Sequence, residues 1–123
     1  MEFRNDKAIY LQIADYMYGM VLNGKWKPGD RIPSIREIAA LLEVNSNTAM
    51  RTYTDLQDAG VIVYTRGKGF YLTENCFEKV FEIRKSEFTN RVLPEVFAHM
   101  LSLNIEVKEF ELLFNQYLEN LKK

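Results

Sequence analysis

The sequence predicts a mainly α-helical fold carrying one small β-hairpin, and three observations predict it. Apolar residues recur at spacings of three and four along most of the chain. Helix start and stop signals at Ser34–Glu37 and Gly60 bracket two helices that are joined by a short turn. Only between Gly60 and Thr73 does the period fall to two, on either side of a glycine-flanked turn.

The first helical pattern covers about Ile9 to Leu22, with Ile9, Ile13, Met17, Met20 and Val21 as its inward stripe. Asn23-Gly24 ends it, and Trp26-Lys27-Pro28-Gly29-Asp30 reads as a turn. A second helix opens with a capping box: the Ser34 hydroxyl can accept the backbone N–H of Glu37, whose carboxylate can accept that of Ser34. Ile35, Ile38, Ala39 and Leu42 form its inward face. The turn from Leu42 to Asn45 contains apolar Val44, which is expected to pin it to the core.

The third helix runs from about Ser46 to Ala59, with Asn45 as N-cap and Gly60 as the stop. Ala49, Tyr53, Leu56 and Ala59 lie on one face. Ser46, Asn47, Met50, Arg51 and Thr54 lie on the other, toward the start of the helix. Short hydrogen-bonding side chains and an arginine on the leading turns are what a helix needs to meet base edges or phosphates. Val61-Ile62-Val63-Tyr64 and Phe70-Tyr71-Leu72 then read as two strands joined by the basic tip Thr65-Arg66-Gly67-Lys68-Gly69.

Beyond the hairpin, Phe77, Val80, Phe81, Phe88, Val92, Phe97 and Leu101 mark a long helical segment that Pro94 should kink or split. Asn104 marks a break. Phe110, Leu113, Phe114, Tyr117, Leu118 and Leu121 follow helical spacing in a last amphipathic helix. These helices carry too much apolar surface to stand alone, so they must pack on the first domain, on each other or on a second copy. The division expected is a domain over residues 1–75 and a helical dimerisation region over 76–123. Phe77, Phe81, Phe88, Phe97, Leu101, Phe110, Leu113, Phe114, Tyr117 and Leu121 are the expected interface.

The chain has 123 residues, is 47% hydrophobic and carries a net charge of −1. That apolar content supports a packed core and argues against disorder. No apolar run reaches the ~20 residues of a membrane span, and the charged start does not read as a signal peptide. Residues 1–73 hold nine Lys/Arg against eight Asp/Glu, so bulk charge does not argue for nucleic acid; placement of the basic side chains must. The single cysteine, Cys76, forms no internal disulfide and fits a reducing cytoplasm. With His99 the only histidine and no nucleophile–base pair in view, no metal, cofactor or catalytic residue is expected. The Gly67-Lys68-Gly69 tip lacks Walker spacing and no helix begins right after it. Tyr53 and Trp26 read as core residues rather than stacking platforms.

Helix, capped helix, short turn, helix and basic hairpin together describe a winged helix-turn-helix, a platform that holds one helix proud for a major groove. The residues that build it also resemble a family. Tyr10-Leu11-Gln12-Ile13-Ala14, the run Gly24-Lys25-Trp26-Lys27-Pro28-Gly29-Asp30-Arg31-Ile32-Pro33-Ser34-Ile35-Arg36-Glu37, Val44 through Tyr53, Gly60-Val61-Ile62 and Arg66-Gly67-Lys68-Gly69-Phe70 are similar to the GntR family of bacterial regulators. The likeness runs from about Ala8 to Thr73, and the short two-helix tail resembles the YtrA-like subgroup, whose members dimerise through it and often regulate transporter operons.

The resemblance implies a homodimer on palindromic double-stranded operator DNA, with repression as the expected outcome. It implies contacts from Ser34, Arg36, Ser46, Asn47, Thr48, Met50, Arg51, Arg66, Gly67 and Lys68. Arg36 would meet phosphate or guanine, Asn47 and Thr48 bases and backbone, Arg51 phosphate or base, and the Gly67-Lys68 tip the minor groove. At Ser46 relatives often have proline or arginine, and at Met50 glutamine or arginine. A methionine makes no bidentate base contact but can pack on a thymine methyl, so an operator sequence does not transfer from relatives. Whether a small-molecule effector exists is left open, because no residue cluster argues for a site. The rival reading is a winged helix that docks protein partners through its tail; near-neutral charge and Met50 favour it mildly.

Overall fold

The computed structural model describes residues 2–123, which form two compact units, one running through Ile83 and the other from Arg84 to Lys123. The first contains α1 (Ile9–Leu22), α2 (Ile35–Leu42), α3 (Ser46–Asp58), the hairpin β1 (Ile62–Thr65) and β2 (Gly69–Leu72), and most of α4 (Cys76–Glu87). Its core is built from Ile13, Met17, Ile38, Ala49, Tyr53, Leu56, Val61 and Val80, each at most 1% exposed.

The buried face of α1 comprises Gln12, Ile13, Ala14, Met17, Tyr18 and Val21, whereas Ile9, expected in the stripe, is 41% exposed. Gln12 explains the rotation. Its carboxamide accepts the Arg4 backbone N–H at 2.8 Å and donates to the carbonyls of Arg4 and Lys7 at 2.7 Å each. A buried amide is tolerated when its donors and acceptor are matched, and these bonds staple the N-terminal arm to the helix.

The turn between α2 and α3 closes through Glu43 in the left-handed conformation (φ 57°). The Val44 N–H then bonds the Ala39 carbonyl at 2.9 Å, and the half-buried Val44 side chain packs on the core. This pairing satisfies a carbonyl that the end of α2 would otherwise leave open. At the other end of α3, Gly60 takes φ +78° and lets the Val61 N–H return to the Leu56 carbonyl at 3.0 Å.

The hairpin pairs antiparallel with Ile62 opposite Leu72 and Thr65 opposite Gly69, and Lys68 N–H closes on the Thr65 carbonyl at 2.9 Å. A third strand-like segment joins it. Gly29 N–H bonds Leu72 O, Leu72 N–H bonds Asp30 O, and Ile32 N–H bonds Phe70 O, each at 2.9–3.0 Å. The segment after the Pro28-Gly29 turn is therefore extended along β2. Pro33 disfavours helix at the preceding Ile32, whose side chain is buried.

The first unit reaches past the expected boundary at residue 75, because the opening turns of α4 bury Cys76 and Val80 in its core and pack Ile83 against it. Burial pushes the Cys76 thiol above its usual range, in keeping with a free cysteine used as a small apolar residue.

In the second unit, a π-helical turn over Phe88–Val92 leads into α5 (Leu93–Ser102), with Pro94 in its first turn. Pro94 has no N–H to return to the carbonyl four residues back, and the wider turn accommodates the lost bond. Asn104 adopts φ 56° at the break before α6 (Val107–Leu121). None of residues 84–123 is buried. Among the described residues, no helix is long and apolar enough to cross a membrane.

Candidate nucleic-acid interface

Everything expected to meet DNA lies in the first unit, and the core sets how α3 is held. Tyr53, on its inner face, donates its hydroxyl to the Pro33 carbonyl and sets its ring edge-on to Phe70 of the hairpin, with centroids 4.9 Å apart. Thr52, also buried, donates its hydroxyl to the Tyr10 carbonyl at 2.7 Å. One helix is thus tied to α1, to the approach to α2 and to the hairpin. Trp26 is half-buried and meets Tyr16 edge-on at 6.4 Å, which is a packing role.

The outer side of α3 carries Ser46, Asn47, Met50 and Arg51, all exposed, with Thr48 half-buried. Asn45 caps the helix by accepting the Asn47 N–H at 2.7 Å, so the Asn47 side chain is not needed for capping. Arg36 stands exposed in the first turn of α2. The box that starts this helix forms in full: Ser34 Oγ accepts the Glu37 N–H at 3.1 Å, and Glu37 Oε1 accepts the Ser34 N–H at 3.0 Å. The hydrogen bonds from the Ser34 backbone and side chain hold the Glu37 carboxyl below its ordinary range. Ser34 is half-buried and its hydroxyl oxygen accepts one bond of the cap. Ser34→Ala is therefore expected to cost about 0.5–2 kcal/mol in stability. Urea unfolding checks it, and the loss should be independent of DNA.

At the hairpin tip Arg66, Gly67 and Lys68 are exposed, and Gly67 takes φ +77° with open space around it. Arg31 is exposed and bridges to Tyr71 of β2. Its guanidinium lies along β2, where a Cβ on Gly69 would come within 3.3 Å of Nε, and Gly69 itself has φ +110°. The positive φ is what calls for glycine there, since the exposed arginine can shift by a few tenths of an ångström.

Arg51 is the other departure from a simple outward-facing cation. Its Cζ sits 3.6 Å from the centroid of the Tyr10 ring, and its Nη2 donates to Tyr10 Oη at 3.0 Å. Tyr10 and Gln12 both fall inside a segment that carried the family resemblance. Their partners, Arg51 and the Arg4–Lys7 arm, do not show in the spacing of the chain.

The expected interface residues divide between the units. Phe77 and Phe81 form an exposed, stacked pair on α4, centroids 6.5 Å apart, one step around the helix from buried Cys76 and Val80. Phe88, Phe97, Leu101, Phe110, Leu113, Phe114, Tyr117 and Leu121 are all exposed in the second unit. Phe97 and Leu101 also line an open apolar groove at the turn between α5 and α6. Among the described residues, no three His, Cys, Asp or Glu side chains come together to hold a metal.

The family described as bacterial regulatory proteins, gntR family, matches residues 9–72, which is α1 through β2. The chain is 42% identical over 104 residues to the HTH-type transcriptional repressor YtrA of Bacillus subtilis, covering 84% of this chain and 80% of that protein. It is 33% identical over 108 residues to the HTH-type transcriptional regulator YhcF of the same organism, covering 88% of each. A crystal structure of a GntR-family transcriptional regulator from Bacteroides thetaiotaomicron superposes with a TM-score of 0.83 at 36% identity, over 91% of this chain and 98% of that one.

Proposed function

Because the chain belongs to the gntR family of bacterial regulatory proteins, and is thereby a DNA-binding transcription regulator and not an enzyme, we propose that it represses transcription as a homodimer on a palindromic operator. The observation that carries this reading is the exposed leading edge of α3. Ser46, Asn47, Met50 and Arg51 face outward on a helix whose inner face is anchored by Tyr53 and Thr52. A rigid helix with polar side chains on its first turns suits a major groove. Arg36, with the Arg66-Gly67-Lys68 tip, supplies positive charge for the flanking backbone and minor groove. Thr48 adds a backbone contact, and the capped Ser34 fixes the start of α2.

The homodimer rests on the second unit. None of residues 84–123 is buried, yet the unit exposes Phe88, Phe97, Leu101, Phe110, Leu113, Phe114 and Tyr117. Covering a Phe or Leu is worth about 1.5–3 kcal/mol, and so many exposed together favour an interface. A second copy is the fitting occupant, since a two-fold dimer presents two reading helices to a symmetric site. Phe77 and Phe81 are a further exposed aromatic pair, on α4 of the first unit. The likeness to YtrA, itself named a repressor, over 84% of this chain supports repression. The protein would act in the cytoplasm, where bacterial DNA lies.

Selection of bound fragments from random duplex DNA tests binding, symmetry and spacing together. Inverted half-sites centred about 34–36 Å apart, or a multiple of that, are expected. Affinity for the selected site should fall steeply and linearly in a log–log plot against salt, as phosphate contacts release counterions. A reporter driven from a promoter carrying that site should be silenced by the protein. Enrichment of no sequence, or affinity indifferent to salt, would overturn the reading in favour of a protein-docking module. Enrichment of single, unpaired half-sites would overturn the dimer alone.

A further inference from the structure

We propose that Tyr10, on α1, is a positioning residue for DNA recognition: it holds the Arg51 guanidinium and aims its free N–H groups at the duplex. The inference rests on the reading of Arg51 as a DNA contact and adds the residue through which that contact is built. An exposed arginine ordinarily samples many rotamers, and ordering it on DNA subtracts from binding. Here the guanidinium already has a seat on α1 without DNA. One face lies on the Tyr10 ring at 3.6 Å, and one N–H donates to the phenol oxygen at 3.0 Å. The opposite face and the remaining N–H groups stay available, since Arg51 is exposed.

The platform itself is fixed. Tyr10 is half-buried near the start of α1, and its carbonyl accepts the Thr52 hydroxyl at 2.7 Å, one residue along α3 from Arg51. Two residues further on, buried Gln12 ties α1 to the N-terminal arm. The backbone that carries the ring is therefore tied to the helix it serves. A cation held against a ring face and hydrogen-bonded at its edge keeps its plane defined, and a guanidinium reads a guanine edge or a phosphate only with its plane correctly set.

A double-mutant cycle on the selected operator tests this. Arg51→Ala should weaken specific binding by roughly 5- to 150-fold. It should carry one of two signatures: relaxed base preference at one half-site position, or a shallower salt dependence. Tyr10→Leu should weaken binding by about tenfold and reproduce the same signature at the same position. In an Arg51→Ala background, Tyr10→Leu should cost less than about twofold, because nothing is left to position. Tyr10→Phe keeps the ring face and should retain binding within about threefold. Thermal unfolding confirms that each variant is folded; should Tyr10→Leu not be, Tyr10→Gln takes its place in the cycle.

A Tyr10 loss that persists undiminished without Arg51, or a full-affinity Tyr10→Leu beside a weakened Arg51→Ala, overturns the inference and leaves the DNA role of Arg51 standing. An Arg51→Ala variant that binds and discriminates as wild type removes that role itself.

Discussion

Replacing Phe110 and Phe114 together by glutamate is expected to yield a folded monomer that has lost most of its operator affinity. Both residues lie on one face of α6, are 40% and 53% exposed, and contribute nothing to the core of the first unit. The reading domain should therefore unfold as in wild type. In the proposed homodimer, carboxylates on this face would repel across the two-fold axis and would have to be desolvated there. With dimerisation gone, the second half-site no longer benefits from being tethered, and affinity for the full site should drop by about two to four orders of magnitude. Binding to an isolated half-site should be unchanged. Analytical ultracentrifugation and titration on full and half sites separate these effects. A variant that still sediments as a dimer and binds the full site normally would show that this face is not the interface.

Tyr53→Ala should be the most damaging single change within the reader itself, costing about 3–5 kcal/mol. A small domain has only about 5–15 kcal/mol in total, so the variant sits near the limit of folding. The ring is 1% exposed, meets Phe70 edge-on, and its hydroxyl satisfies the Pro33 carbonyl. Losing it opens a cavity where α3, the approach to α2 and the hairpin converge. Tyr53→Phe keeps the ring and should cost only about 1 kcal/mol, from the unpaired carbonyl.

A pH signature separates the two roles. Burial raises the Tyr53 phenol well above its ordinary value of 10.0, and the charge of Glu37 adds to the shift. Native protein thus retains a proton that the unfolded chain releases. This contribution is intact below pH 10 and is lost as pH rises beyond it. Denaturant unfolding should show wild type losing stability relative to Tyr53→Phe only in that alkaline range. Parallel pH profiles for the two proteins would mean that the phenol is not held neutral by the fold.

What could be read from the chain beforehand follows from how local each signal is. The capping box at Ser34–Glu37, the Asn45 cap and the Gly60 stop depend on neighbours within a few positions, and each appears in the structure where spacing placed it. The hairpin and its tip rest on a period of two over a short stretch, and they too form in place. The break at Pro94 became a π-helical turn because the lost hydrogen bond needs only one wider turn to absorb it.

Less was legible wherever a residue's role is set by a partner far along the chain. Nothing near Tyr10 announces that Arg51 will lie on it, and nothing in an apolar-stripe count picks Gln12 over Ile9 for burial. Likewise, Gly29-Asp30 reads only as the end of a turn, and nothing local marks Arg31-Ile32 as extended, because the strand they pair with lies some forty residues later. The division between units also moved, since Cys76 and Val80 look no different from the tail's other apolar residues until the core is seen to claim them.

That borrowed strand has a mechanical consequence. An isolated two-stranded ribbon bends and twists easily along its whole length. Here Gly29–Ile32 splints β2 from Leu72 back to Phe70, and Ile32 roots the splint in the interior. Only the short stretch from Thr65 to Gly69 projects past the reinforced base. Any adjustment of Arg66 and Lys68 must come from a few bonds around Gly67, like the nib of a pen whose barrel is clamped.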